Sequence, residues 1–300
     1  MYSQEKLQNF LKQDGEKQKI IVIYGPTACG KTKMSLDIAE FLNTEIISTD
    51  SRQIFKYLNI GTGKIKQSEK RAIKHHMIDI IFPNEKYSVG EYKKEAEKII
   101  QNLHSQKKIP ILVGGTGLYI DSLIYDFDIP QVPADEILRK KLTQEAHDFG
   151  NDFVYKKLCE IDSDFAQTLH PNNLNYVIRA LEIKLLSGKS KGEFKKEKVL
   201  NYDTLFLTPY NGEREKLYEN INSRVENMLE EGLIEEIKNI LGKGYKTTDF
   251  GLQTIGYSEI ISFLDGIFSL QEAKELIQKN SRNYAKRQLT WFRKYEDKIF

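Results

Sequence analysis

Gly25-Pro26-Thr27-Ala28-Cys29-Gly30-Lys31-Thr32 has the spacing G-x-x-x-x-G-K-T. The glycines let the backbone wrap closely around an anion, so that successive N–H groups at a helix start point into one concavity. Lys31 adds a mobile positive charge for an outer phosphate, and the Thr32 hydroxyl can ligate Mg²⁺. Further along, Asp50 is followed by Ser51, Arg52 and Gln53. A carboxylate near a bound polyphosphate is electrostatically costly unless it holds a cation or does proton chemistry. Its plainer role is to cap the next helix. For Cys29, the helix N-terminus could lower the thiol pKa, but the simpler expectation is a small residue where serine would also fit. His75 and His76 point different ways on a helix or a strand, and with Asp79 they complete no metal shell, so a structural role is expected.

These residues need a scaffold to bring them together. KIIVIYG (19–25) is a short β-branched run ending in glycine, the pattern of a buried parallel strand. TKMSLDIAEFLN places Met34, Leu36, Ile38, Ala39, Phe41 and Leu42 at mostly helical spacing. EIIST (45–49), KIPILVGG (108–115) and TLFLTP (204–209) read as three more strands, with a helix over 87–106 between the second and third. Alternating strands and helices predict an α/β fold, a parallel sheet with helices on both faces. That arrangement puts Asp50 at the carboxyl edge of a strand beside the phosphate loop, where ligands collect. The strand ILV (111–113) runs into Gly114-Gly115-Thr116 without the acid that holds Mg²⁺ in hydrolytic P-loop enzymes. Three segments between 123 and 202 are helix-like without a convincing strand, so a helical insertion domain is expected there. It separates a first core segment (1–122) from a second (203–300).

The balance of 40% hydrophobic and 29% charged residues over 300 positions is that of a folded protein and excludes disordered and collagen-like classes. No apolar run is long enough to cross a membrane, and the polar N-terminal stretch has no signal-peptide core. Two cysteines without a C-x-x-C pair suit the cytoplasm. Forty-five basic against 43 acidic residues decide nothing about nucleic acid globally, but local clustering does point there. Six basic residues and no acid lie between Lys279 and Lys294, among them Arg282, Lys286 and Arg287, with Tyr284, Trp291 and Phe292 interleaved. On a helix this becomes a phosphate-contacting face with an aromatic face turned to the core. The alternative is a solvated basic face. A second Lys-rich stretch covers 189–198.

Taken in order, the blocks resemble the tRNA dimethylallyltransferase (isopentenyl transferase) family of the bacterial type over nearly the whole chain. GPTACGKT is similar to that family's GPTASGKT. STDSRQIFKYLNIGTGK (48–64), HHMIDI, PILVGGTGLYI, HPNN-x(4)-IRALE (170–182), IGYSEI and NYAKRQLTWFR (283–293) then follow in family order. The resemblance implies a P-loop NTPase-like core and transfer of a dimethylallyl group from dimethylallyl diphosphate to N6 of the adenine 3′ of the anticodon. It implies that residues 25–32 cradle the prenyl diphosphate with Mg²⁺ on Thr32, and that Asp50 takes the amine's proton. The family's arginine pattern falls on Arg214 and Arg224, with Asn220 where a third arginine is usual. Arg224 is the first choice for the leaving diphosphate and Arg214 the second. Asp50, Ser51 and Gln53 are expected along the adenine's channel, and Arg52 with them among the tRNA-binding residues. Thr116, Arg139, Arg179, Arg282, Lys286 and Arg287 are expected against the tRNA anticodon stem-loop. A monomer without membrane contact is expected. The rival readings are an adenylate isopentenyltransferase acting on free nucleotide, a P-loop small-molecule kinase, and an RNA-binding regulator.

Overall fold

A computed structural model describes residues 4–125, 130, 132–194 and 199–296. The chain forms two compact units, one of residues 1–124 with 200–300, the other of 125–199.

The first unit is built on five parallel strands: β1 (Lys19–Tyr24), β2 (Ile46–Ser48), β3 (His75–His76), β4 (Ile111–Gly114) and β5 (Asp203–Leu207). Their order is β3-β2-β4-β1-β5, with Ile21 opposite Ile111 on one side and Leu205 on the other. β1 is therefore an inner strand, and its residues from Ile20 to Tyr24 are buried, as a strand covered on both faces requires. The pleat sends alternate side chains to opposite faces. Ile21, Ile23, Leu205 and Leu207 pack with Leu7 and Phe10 of α1 (Gln4–Lys12) and with Met34, Leu36 and Ile38 of α2 (Lys31–Leu42). On the opposite face Tyr24 packs on Phe292 and Tyr295 and Phe206 on Tyr295 in tilted and edge-to-face pairs, with ring centroids 4.8–5.1 Å apart. Those two rings belong to α12 (Leu270–Glu296), a helix of 27 residues.

The crossovers from β1 to β2 and from β3 to β4 are helical, whereas β2 reaches β3 through turns and a short 3-10 helix (Gln67–Glu69). α3 (Val89–Ser105) joins β3 to β4, opened by a capping box in which Ser88 and Glu91 satisfy each other's backbone N–H. α4 (Gly117–Ile124) follows β4 directly. The strand pair β2–β3 adds a parallel strand not foreseen from the sequence, and it gives His75 and His76 a structural place. His76 Nε2 lies 2.6 Å from Glu45 Oε2, and His75 Nδ1 lies 2.9 Å from the Ile73 carbonyl. Among the described residues no helix is long and apolar enough to cross a membrane.

In the second unit, α5 (Glu136–Phe149), α6 (Asn151–Ile161), α7 (Ser163–Ala166) and α8 (Leu174–Ser187) enclose Leu142, Val154, Leu158, Val177 and Leu181. Glu182 has no exposed side-chain surface. Its carboxylate accepts from the Asp135 N–H at 2.7 Å, from Arg139 Nε at 2.8 Å and Nη2 at 2.7 Å, and from Arg179 Nη1. Burial pushes this carboxyl up, but the hydrogen bonds from Arg139, Arg179 and the Asp135 N–H outweigh it, so Glu182 is held below its ordinary value. A depressed folded-state pKa stabilises the fold above the unfolded carboxyl's pKa, and that stabilisation is lost as pH falls through the folded one. Glu182→Gln should cost about 2 kcal/mol, below the ~3–5 kcal/mol of a fully buried pair because both arginines can turn toward water. Urea titration at pH 7 and pH 4 checks this: the variant's deficit should shrink at the lower pH.

Candidate active site

Three loops leave the carboxyl ends of β1, β4 and β2, which are neighbours in the sheet, so they meet at one edge. From β1 comes the loop 25–30, which passes through left-handed backbone at Ala28 (φ +61°) and Gly30 (φ +93°) before α2 begins. From β4 comes Gly114-Gly115-Thr116. From β2 comes Thr49 and then the turn at Asp50. The Thr116 N–H donates to the Thr49 carbonyl at 3.0 Å, and the Ser51 N–H donates to Thr116 Oγ1 at 3.0 Å. A Cβ on Gly114 would sit 2.4 Å from the Thr49 carbonyl oxygen, so only glycine permits this approach.

The remaining walls come from further along the chain. They are the 61–63 turn, α9 (Arg214–Glu230), the 253–256 turn ahead of α11 (Tyr257–Leu264), and the central part of α12. α9 buries Leu217, Ile221 and Val225 on one stripe at helical spacing, which turns Arg224 and Met228 toward the cavity. The 59–61 backbone is pinned by Glu236 of α10 (Leu233–Gly242). Its carboxylate accepts the N–H groups of Asn59, Ile60 and Gly61 at 2.9–3.5 Å and the Tyr257 hydroxyl at 2.6 Å.

The cavity is an open cleft of about 510 Å³. Lys31, Arg52, Arg224 and Arg287 line it, and Asp50 is the single carboxylate among the described lining residues. Lys31 Nζ donates to the Gly25 and Pro26 carbonyls at 3.0 and 2.7 Å. Burial pulls its pKa down; the nearby Cys29 and Asp50 oppose this, and Arg224 adds to it. Arg224 is likewise lowered by burial and supported by Asp50. Its Nη2 donates to the Thr62 carbonyl at 3.3 Å and lies where a Cβ on Gly63 would be, 1.6 Å away. Asp50 Oδ1 accepts from the Arg52 and Gln53 N–H groups at 2.8 and 3.4 Å. This is a turn rather than a helix cap, since no helix starts there. Burial raises the Cys29 thiol, against the lowering a helix N-terminus alone would bring.

Of the residues expected from sequence, Thr27, Ala28, Gly30, Lys31, Thr32, Asp50, Ser51, Arg52, Gln53, Arg224 and Arg287 line this one cavity. Thr116 holds the Ser51 backbone beside it. Gln53 is engaged by the protein itself: its Oε1 accepts from Ser48 Oγ and its Nε2 donates to the Thr62 and Gly63 carbonyls. Arg214 is exposed at the start of α9 and is not among the lining residues. Arg282 is half-buried on Asn222 at 2.6 Å, and Lys286 is exposed. Arg139 and Arg179 lie in the other unit, both on Glu182. Sequence reasoning missed Glu236, Gln288 and the place of Met228 on the cavity wall. Gln288 lies within the family-like RQLTWFR block, and the Ile60 and Gly61 backbone that Glu236 holds begins the IGTGK block. For Mg²⁺ the donors present are the exposed Thr32 hydroxyl and one carboxylate. Among the described residues no cluster of three His, Cys, Asp or Glu forms a cage. Few hard oxygen donors beside an anion cradle suit Mg²⁺, which keeps waters and binds largely through a substrate's phosphates.

A phosphate loop facing one carboxylate across an arginine-lined cavity narrows the possibilities, and comparison narrows them further. The family model described as IPP transferase matches residues 53–295. A tRNA dimethylallyltransferase of Alkaliphilus oremlandii is 48% identical over 283 residues, 94% of this chain and 90% of that one. The crystal structure of the full-length tRNA isopentenylpyrophosphate transferase of Bacillus halodurans is 43% identical. It covers 92% of this chain and 87% of its own, with a TM-score of 0.66. A eukaryotic dimethylallyltransferase acting on tRNA, at 32% identity, covers 92% and 70% with a TM-score of 0.79. With its phosphate loop, its Asp50 turn and the arginine of α9 in one cavity, the chain belongs to the IPP transferase family.

Proposed function

We propose that this protein transfers a dimethylallyl group from dimethylallyl diphosphate to N6 of the adenine 3′ of the anticodon in tRNA, releasing diphosphate. The observation that carries this reading is the cavity in which four cations and an amide-lined loop surround a single carboxylate. Such a site holds a diphosphate and still keeps one base for a proton.

An adenine amine is a poor nucleophile because its lone pair is conjugated with the ring, whereas an allylic carbon spreads positive charge well. The C1–O bond to diphosphate breaks while N6 bonds to C1, and the N6 proton passes to the Asp50 carboxylate. Residues 25–32 cradle the diphosphate by the loop's backbone N–H groups other than at Pro26, which has none, and Thr27, whose N–H is held by Gln288, with Lys31 and Arg224 on the charge that grows as it leaves. The Thr32 hydroxyl would hold Mg²⁺, which supplies further charge neutralisation on the diphosphate when bound. Ile221, Val225, Met228, Ile255 and Ile277 give the isoprenoid tail an apolar wall. The adenine is extruded from its loop to enter past Ser51, Tyr284 and Arg287. Thr116, Arg139, Arg179, Arg282, Lys286 and Arg287 serve the tRNA, as contacts or as supports of contacts.

Incubation with labelled dimethylallyl diphosphate and either unmodified tRNA or AMP tests the assignment. Label should enter tRNA and not AMP. Label in AMP would make it an adenylate isopentenyltransferase, phosphate transfer from ATP a small-molecule kinase, and tight tRNA binding without transfer a regulator.

A further inference from the structure

Gln288 lies on α12 next to Arg287, and only 6% of it is exposed. A buried primary amide must place both a donor and an acceptor, and here both go to backbone. Gln288 Oε1 accepts from the Thr27 N–H at 2.9 Å, and Nε2 donates to the Gly115 carbonyl at 3.0 Å. The orientation is fixed by the partners, since a backbone N–H only donates and a carbonyl only accepts. A Cβ on Gly115 would stand 2.1 Å from Nε2, so the contact also requires glycine at that position.

The two partners belong to different halves of the site. Thr27 lies inside the phosphate loop. Gly115 precedes Thr116, whose side chain holds the Ser51 N–H next to Asp50. One amide thus ties the cradle of the electrophile to the turn that carries the base. It does so from the helix that also lines the cavity with Ser281, Tyr284 and Arg287.

We propose that Gln288 is a positioning residue that sets the register between the phosphate loop and the Asp50 turn, and so between the allylic carbon and the amine that attacks it. This rests on the prenyl-transfer reading above. Reacting atoms must meet at about 3–3.5 Å, and a misplacement of ~1 Å can cost ~10²-fold in rate, so a lost register acts on turnover rather than on binding.

Two variants test it. Gln288→Met keeps the length and removes both hydrogen bonds. It should lower kcat by about 10–100-fold, with KM for both substrates within about threefold of wild type and the loss independent of pH. Gln288→Glu keeps the acceptor but as a carboxylate has no donor for the Gly115 carbonyl, so its kcat should fall similarly at pH 8. As pH is lowered the introduced carboxyl takes up a proton and can again donate on one side and accept on the other. The ratio of variant to wild-type kcat should therefore rise toward acid. A near-normal kcat in Gln288→Met overturns the proposal. So does a flat ratio in Gln288→Glu, or losses that follow a raised KM and a lowered Tm. Wild-type protein without prenyl transfer refutes the function itself and this assignment with it.

Discussion

Asp50→Asn should lower kcat by roughly 10²–10⁴-fold, the range expected for loss of a general base, while tRNA binding is largely kept. The substitution isolates the charge. An asparagine Oδ1 still accepts from the Arg52 and Gln53 N–H groups, so the turn after β2 persists. The change also reaches the cations, because Asp50 raises the pKa of both Lys31 and Arg224 against the burial that lowers them. Without that support Lys31 loses its proton at lower pH than in wild type. The alkaline limb of kcat/KM for dimethylallyl diphosphate should then move to lower pH. Single-turnover rates at saturating tRNA, measured across pH 6–9, provide the check. A rate within about threefold of wild type would leave Asp50 as a turn residue only, since a base contributes far more than that.

How much of this was readable beforehand depended on how local each feature is. The phosphate loop is a contiguous string between an apolar run and a helical pattern, and β1, loop and α2 stand where that pattern puts them. Asp50 was legible because parallel topology brings successive strand ends to one edge. Features made by distant residues were not. Gln288 reaches Thr27 and Gly115 across 261 and 173 positions, and in sequence a glutamine amid lysines and arginines reads as solvent-facing. β3 is two residues long, too short for any periodicity to appear. α1 escaped because its apolar side is only Leu7, Phe10 and Leu11 in a polar stretch, although that spacing is helical. Phe41, counted in the helical pattern of α2, is instead 65% exposed. Arg139 and Arg179 are expected against the tRNA from the resemblance, and read one at a time they do not show that they share a partner within the protein. Both hold Glu182, and the three-residue spacing of Arg179 and Glu182 was the available hint.

Arg224→Gln should cost about 10²–10³-fold in kcat, the scale of removing one preorganised donor from a developing anion, with KM for dimethylallyl diphosphate changed less. The expected effect is differential. On the proposed function the ground-state diphosphate already has Lys31 and the loop amides, whereas charge added as the C1–O bond breaks needs a further donor that is fixed in place beforehand. Arg224 is so fixed: its guanidinium is buried on the Gly63 backbone with Nη2 on the Thr62 carbonyl, behind the Glu236-pinned 59–61 turn. A neighbouring substitution separates this role from charge alone. Gly63→Ala keeps the arginine but puts a methyl 1.6 Å from its Nη2, at a backbone φ of +57° that alanine rarely adopts. It should reproduce most of the Arg224→Gln loss, and the double variant should be little worse than either single one, because both remove the same placed donor. Additive losses would mean that Gly63 acts through stability. A Gln variant within about fivefold of wild type would reduce Arg224 to a strut under Thr62, since a donor to the transition state contributes far more.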